Sequence, residues 1–228
     1  MPKIPGKDRS VIQTYRQRAQ RYDLTVRLFN LFSLFGFDIE AWRRKAVQAL
    51  HVNRGAIIVD VGCGTGLNFA LLQDMIGPEG QIIGVDLSDA MLDQAQQRVT
   101  GHGWKNVTLV QADATRFQFP AKVGGIISTL ALTLIPECGR VVSNGCEALA
   151  AGRRWVVLDM AWPKYCPVWW RHVLFFLQSY GVTGEVIRRR PWDTVWKTME
   201  QHLMDVSRQK FWMGFFYLAS GTRAAIIE

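Results

Sequence analysis

"VDVGCGTG", residues 59–66, sets three glycines at alternate positions behind the apolar run "AIIVDV" (56–61). A short continuous apolar run ending in a glycine turn is the pattern of a strand buried on both faces of a parallel sheet. Gly62, Gly64 and Gly66 lack the Cβ atoms that would hold a ligand away from the backbone. In open α/β sheets ligands bind beyond the carboxyl ends of the strands, so the loop after this strand is the first candidate site.

The chain downstream keeps one rhythm. "LNFALLQDMI" (67–76) reads as a helix and "GQIIGVDL" (80–87) as a second strand. Ser88 caps a helix over 88–100; "NVTLVQAD" (106–113) is a third strand and "GGIISTLALT" (124–133) a fourth. A helix from Pro136 to 150 leads to a fifth strand, "RRWVVLDM" (153–160). A short helix over 165–180 and one from Pro191 to 204 follow, with Pro191 in the first turn. Residues 206–212 and 214–221 are two strands joined by a short turn, an antiparallel pair that closes the sheet. The expected fold is a doubly wound, mostly parallel seven-stranded α/β sheet with helices on both faces. Ahead of it, residues 8–35 carry apolar residues at helical spacing, and Asp38 is the expected N-cap of a second helix over 38–50. Residues 1–50 are thus an N-terminal helical cap on a single domain spanning 1–228.

Composition narrows the class. Hydrophobic residues make up 49% and charged residues 20% of the 228, as in a globular protein. No stretch of 18 uncharged apolar residues offers a membrane span, and the N-terminus does not read as a signal peptide. Cys63, Cys138, Cys146 and Cys166 show no CxxC spacing, which supports neither zinc nor a disulfide framework. A cytoplasmic location with no bound metal is the expectation. The net charge of +8 is uneven: residues 1–54 carry +7, residues 55–150 carry −4 and residues 151–228 carry +5. Two basic, aromatic-rich ends therefore flank an acidic middle, an arrangement suited to a solvated surface or to anionic head groups.

The acids of the middle define the ligand. The spacing GxGxG lacks the last gap of the dinucleotide fingerprint GxGxxG. Asp60 stands two residues before the first glycine, Asp86 ends the second strand and Asp113 the third. Three carboxylates would repel a pyrophosphate. They suit a cationic ligand with ribose hydroxyls and an adenine amino group, Asp86 being placed for the ribose and Asp113 for the base.

With these residues the chain resembles the class I S-adenosylmethionine-dependent methyltransferases. "VDVGCGTG", "GVDLSDAML", "LVQADA" and "IISTLALTLIP" match that family's motifs in order, over about residues 55–160. The resemblance implies S-adenosylmethionine as cofactor and S-adenosylhomocysteine as product. It places Gly62, Cys63, Gly64 and Gly66 along the methionine part, with Asp60 beside them. Asp86 and Leu87 hold the ribose, Met91 packs nearby, and Asp113 and Ala114 flank the adenine. Ser128 on the fourth strand joins the cofactor site, and Tyr22 closes over it. Two departures stand out: "VGG" (123–125) replaces a common Asp, and "AAGRR" (150–154) replaces "PGG", read here as a loop change.

Methyl transfer from a sulfonium needs alignment and exclusion of water more than a triad. General-base candidates by residue type are His51, His102, His172, His202, Tyr15, Tyr22 and Asp23. Among them His172 is favoured, because residues 161–228 hold the segment where this family builds acceptor pockets. No Pro-Pro pair follows the fourth strand, so methylation of a nucleic-acid base amine, and nucleic acid as a partner, are not expected. "YRQRAQRYDLTVRLFNLF" (15–32) resembles the caps of two groups, the ubiquinone/menaquinone C-methyltransferases and the phospholipid N-methyltransferases. The quinone enzymes usually carry an Arg-Asn pair after the fourth strand, and "TLALTLIPE" has none. The expected acceptor is therefore a small hydrophobic or amphiphilic molecule, with a membrane lipid amine as the first reading. A quinol ring carbon is the alternative, followed by a soluble metabolite. A cofactor-binding sensor or partner subunit is the non-enzyme reading. "WPKYCPVWWRHVLFFLQSYG" (162–181), with Arg16, Arg18, Arg21 and Arg27, would give a peripheral contact with an anionic membrane. The sequence leaves the oligomeric state open.

Overall fold

The structure is a computed structural model that describes residues 37–163 and 183–225. The elements in chain order are α1 (Ile39–Gln48), β1 (Ile57–Val61), α2 (Phe69–Ile76), β2 (Gln81–Asp86), α3 (Asp89–His102), β3 (Val107–Gln111) and β4 (Val123–Thr129). There follow α4 (Cys138–Ala148), β5 (Leu149–Met160), α5 (Gly184–Arg189), α6 (Pro191–His202), β6 (Met204–Phe211) and β7 (Phe216–Thr222).

The seven strands form one sheet in the order β3-β2-β1-β4-β5-β7-β6. The first five run parallel; β7 lies antiparallel to β5, and β6 antiparallel to β7. The seven-stranded, mostly parallel expectation is met, including the closing antiparallel pair. The chain order reverses between β1 and β4. That crevice is where a doubly wound sheet opens to a ligand.

Local chemistry explains the element ends. The Asp38 carboxylate accepts from the Ala41 amide at 2.8 Å and starts α1. Ser88 Oγ accepts from the Met91 amide at 3.4 Å and starts α3, which ends at Gly103 in the left-handed region. Pro191 occupies the first turn of α6, where its missing N–H costs nothing.

Three readings need correction. β4 stops at Thr129, because Leu130 turns left-handed at φ 58° and leads into a short 3-10 turn, Leu132–Leu134. "AAGRR" is not a loop: β5 begins at Leu149, which pairs with Val123, and Gly152 donates to the Arg223 carbonyl at 2.9 Å. α5 was not expected at all. The helices expected over 8–35 and 165–180 lie outside the described residues, as does Cys166.

The sheet separates two apolar layers. Ile39, Trp42, Ala46, Leu72 and Leu92 from α1, α2 and α3 pack on one face with Ile58 and Ile82. Val141, Cys146, Val195 and Met199 from α4 and α6 pack on the other with Val59, Val61 and Trp155. Each fully buried large side chain contributes roughly 1.5–3 kcal/mol relative to exposure. Where β5 ends, Phe37 meets Trp42, Trp212 and Phe216 edge-on at 5.2, 5.3 and 5.5 Å. Among the described residues no helix is long and apolar enough to cross a membrane.

Candidate functional site

A cavity of about 220 Å³ opens at the carboxyl ends of β1, β2 and β4 and the chain leaving β3. Its floor is the glycine loop. The Gly62 and Cys63 amides both donate to the Val85 carbonyl at 2.8 and 3.0 Å, which ties the loop to β2. Arg98 Nε holds the far side through the Thr65 carbonyl at 2.9 Å.

Two glycines have distinct tasks. Gly62 has φ 68°, and a Cβ there would lie 2.2 Å from Ala131 Cβ. It lets the loops after β1 and β4 touch. Gly64 has φ 55°, and a Cβ there would meet nothing within 4 Å. Its bare backbone borders the cavity, so a ligand can approach the main chain itself.

Asp86 stands above this floor. One carboxylate oxygen accepts from the Gly64 amide at 2.9 Å and the other from the Ser88 amide at 2.8 Å. Burial raises its pKa, opposed by hydrogen bonds from the amides of Ser88, Gly64 and Leu87. Amides on both oxygens fix the orientation of this carboxylate at the cavity. Asp113 is fixed likewise: Oδ1 accepts from the Thr115 amide at 2.9 Å and hydroxyl at 2.7 Å. Its Oδ2 lies 4.0 Å from Arg116 Nε.

Of the expected cofactor residues, Gly62, Cys63, Gly64, Asp86, Leu87, Met91, Asp113 and Ala114 all line the cavity. Cys63 is a buried thiol whose pKa is pushed well up by burial and by the nearby Asp86 and Asp60 charges, which does not suit a nucleophile. Three expected residues do not reach the cavity. Gly66 is backed by the Phe69 ring, 2.5 Å from where its Cβ would stand. Ser128 is fully buried and donates to the Val61 carbonyl at 2.8 Å. Asp60 is fully buried too, beneath the loop, and both its oxygens accept from Asn68 Nδ2 at 3.0 and 2.9 Å. Burial pushes its pKa up to about 7, against the Asn68 hydrogen bonds and the Arg43 charge. Asp60 thus lies under the loop and does not line the cavity. Tyr22 lies outside the described residues.

Among the lining residues that sequence reasoning missed is the charged Arg43. It is 6% exposed and lines the cavity, and its Nη1 donates to Asn68 Oδ1 at 2.7 Å and Thr129 Oγ1 at 2.9 Å. A signal was available: Ile39, Trp42, Arg43, Ala46 and Val47 share one helical face, so Arg43 points inward while Arg44 and Lys45 point out. Beyond Thr129 the wall turns apolar, with Leu130, Ala131, Leu134, Ile135 and Pro136. The exposed Glu137 closes it, 3.5 Å from Arg140.

The described histidines are elsewhere. His102 stacks on Trp104 at 4.4 Å at the end of α3, His202 meets Ser143 at 3.2 Å, and neither they nor His51 line the cavity. His172, Tyr15 and Asp23 lie outside the described residues.

The arrangement matches known proteins. Residues 58–152 match a methyltransferase domain family. A demethylmenaquinone methyltransferase of Desulfitobacterium hafniense is 33% identical over 185 residues, which cover 79% of this chain and 71% of that one. A ubiquinone/menaquinone biosynthesis C-methyltransferase of Photorhabdus laumondii is 29% identical over 206 residues, covering 83% and 80%. The crystal structure of a SAM-dependent methyltransferase from Aquifex aeolicus has the same fold. Its TM-score is 0.64 at 16% identity, over 92% of this chain and 98% of that one.

Proposed function

We propose, from the premise that this chain belongs to the class I S-adenosylmethionine-dependent methyltransferases, in the family of the demethylmenaquinone and ubiquinone/menaquinone C-methyltransferases, that it methylates a ring carbon of a hydrophobic quinol. The enzyme class and the cofactor, S-adenosylmethionine, follow from the family. The acceptor is the proposal. The relative at 33% identity, a demethylmenaquinone methyltransferase by name, carries it. Quinol thus moves ahead of the lipid amine favoured by the sequence alone.

The cavity supports this order. An amine acceptor gains positive charge as it is methylated and calls for carboxylates on its side. The wall past Thr129 is apolar, and its carboxylate, Glu137, is paired with Arg140. A quinol ring asks for an apolar slot and little else. This chain departs from the quinone enzymes in lacking an Arg-Asn pair at Leu130–Leu134, so any basic group must come from another element.

Bound there, S-adenosylmethionine would supply an electrophilic methyl: the ring carbon would give the electron pair of the new carbon–carbon bond, the sulfur–carbon pair would stay on sulfur, and the ring proton would pass to solvent. The chain's own residues supply alignment. Asp86 and Asp113 would hold the nucleoside, and the bare Gly62–Gly64 backbone would leave room for the sulfur end. Leu130, Ala131, Leu134 and Ile135 keep water from the acceptor side. The basic, aromatic ends identified in the sequence, and Met213, 70% exposed at the β6–β7 turn, support peripheral contact with an anionic membrane.

The test is an assay with methyl-labelled S-adenosylmethionine and vesicles containing a ring-demethylated naphthoquinol or phosphatidylethanolamine. Label should enter the naphthoquinol, only when the ring is kept reduced, and faster in anionic than in neutral vesicles. Label on the ethanolamine head group, or no difference between reduced and oxidised ring, would return the lipid amine or a soluble acceptor to first place.

A further inference from the structure

The turn that leaves β4 has two faces. Leu130, Ala131, Leu134 and Ile135 line the cavity. Leu132 and Thr133, between them, do not line it and are fully buried. Leu130 holds φ 58°, a left-handed backbone that a leucine keeps only where its surroundings impose it. The turn has two short-range bonds of its own, from the Leu134 amide to the Ala131 carbonyl and from the Ile135 amide to the Leu132 carbonyl. Its firm attachment is at Thr133, whose three polar groups are all bonded outside the turn. The Thr133 amide donates to Asp159 Oδ2 at 2.9 Å, the hydroxyl donates to the Met160 carbonyl at 3.2 Å, and the carbonyl accepts from Arg189 Nη2 at 2.7 Å.

We propose that Asp159 and Arg189, holding Thr133 by its amide and its carbonyl, position the Leu130–Ile135 wall against the methyl acceptor. This rests on the reading of that wall as the acceptor side. Asp159 stands at the end of β5, 1% exposed, and its Oδ1 accepts from the Met160 amide at 2.7 Å. Burial raises its pKa to about 6, against hydrogen bonds from Thr133 and from the Met160 and Leu132 amides, so most of it is ionised at pH 7. A buried charge is costly, and this one is bonded by the backbone of the turn and of its own strand end. Arg189 reaches the other side of Thr133 from the last turn of α5, half-buried. Neither side chain lines the cavity, so both act through the turn. An apolar slot binds by shape, and a wall that shifts changes both the fit of the acceptor and its alignment with the methyl group. Asp86 and Asp113 belong to β2 and the chain after β3, away from this attachment.

The test is the labelled-methyl assay above with the mole fraction of acceptor in the vesicles varied, beside calorimetry of S-adenosylhomocysteine. The acceptor is the naphthoquinol, or phosphatidylethanolamine where the wild type labels that instead. Arg189→Met should raise the acceptor KM about 10-fold, as the loss of one charge-assisted hydrogen bond implies, while S-adenosylhomocysteine binds as to the wild type. Arg189→Lys keeps a cationic donor and should recover most of the loss. Asp159→Asn sets an amide donor where an acceptor is needed, and should lower kcat/KM for the acceptor about 10- to 100-fold. Residues with a purely structural role would lower Tm and weaken cofactor and acceptor together; that result overturns the proposal. So does an unchanged acceptor KM in Arg189→Met. If Asp159→Asn does not fold, Arg189→Met and Arg189→Lys decide by the same two readouts. A wild type that binds S-adenosylhomocysteine but labels neither acceptor contradicts the acceptor reading itself, and the proposal falls with it.

Discussion

Asp86→Ala should weaken binding of S-adenosylhomocysteine at least about 100-fold, with the fold intact. The reason lies in what the carboxylate already does. Both its oxygens are fixed by backbone amides, from Gly64 at 2.9 Å and Ser88 at 2.8 Å. A ribose would find two acceptors that need no reorganisation. Hydrogen bonds to a charged group contribute roughly 1.5–3 kcal/mol each, and two of them correspond to a factor of about 100 or more. The variant also leaves two amides facing the cavity, where water can satisfy them, so the loss of stability should stay near 1 kcal/mol. Calorimetry gives the affinity and urea unfolding the stability. Unchanged affinity would remove Asp86 from the ribose. A collapse of stability would mean that the carboxylate serves the loop first and the ligand second.

Gly62→Ala and Gly64→Ala should fail in opposite ways although they are two residues apart. At Gly62 an added Cβ meets Ala131 Cβ at 2.2 Å with φ at 68°. Overpacking against the Ala131 methyl and the left-handed penalty together cost roughly 2–5 kcal/mol. For a chain of this length that corresponds to a fall in Tm of about 5–15 °C. At Gly64 the added Cβ meets nothing within 4 Å and φ is 55°. Only the left-handed penalty, roughly 1–2 kcal/mol, applies to the fold. The methyl then occupies ligand space, so binding should fall at least about tenfold at nearly normal Tm. Thermal unfolding with and without S-adenosylhomocysteine separates the two. Equal behaviour of both variants would contradict the assigned floor.

Much of this fold and site is legible in the sequence. The βαβ rhythm, the antiparallel end, and the caps at Asp38 and Ser88 are local patterns, and local patterns survive in the structure. The cavity-lining acids were legible for the same reason: Asp86 and Asp113 sit at or just past strand ends, and strand ends can be read from apolar runs. Asp60 does not line the cavity because its position in the strand matters more than its distance from the glycines. Ile58 and Asp60 point to the face under α1 and α2, while Val59 and Val61 point to the other. That alternation turns Asp60 away from the cavity and toward Asn68. Arg43 was hidden in the run Arg43-Arg44-Lys45, where one residue faces inward and two face outward. The start of β5 depends on Leu149 pairing with Val123 and on the turn at Gly152, contacts that no local pattern announces.

The most direct measurement is the crystal structure of this protein with S-adenosylhomocysteine. The expected complex has the ribose hydroxyls on the Asp86 carboxylate, the adenine beside Asp113 and Ala114, and the sulfur over Gly62–Gly64. A nucleoside lodged instead against Leu130–Ile135, with Asp86 beyond hydrogen-bonding reach, would contradict the site and the reaction built on it.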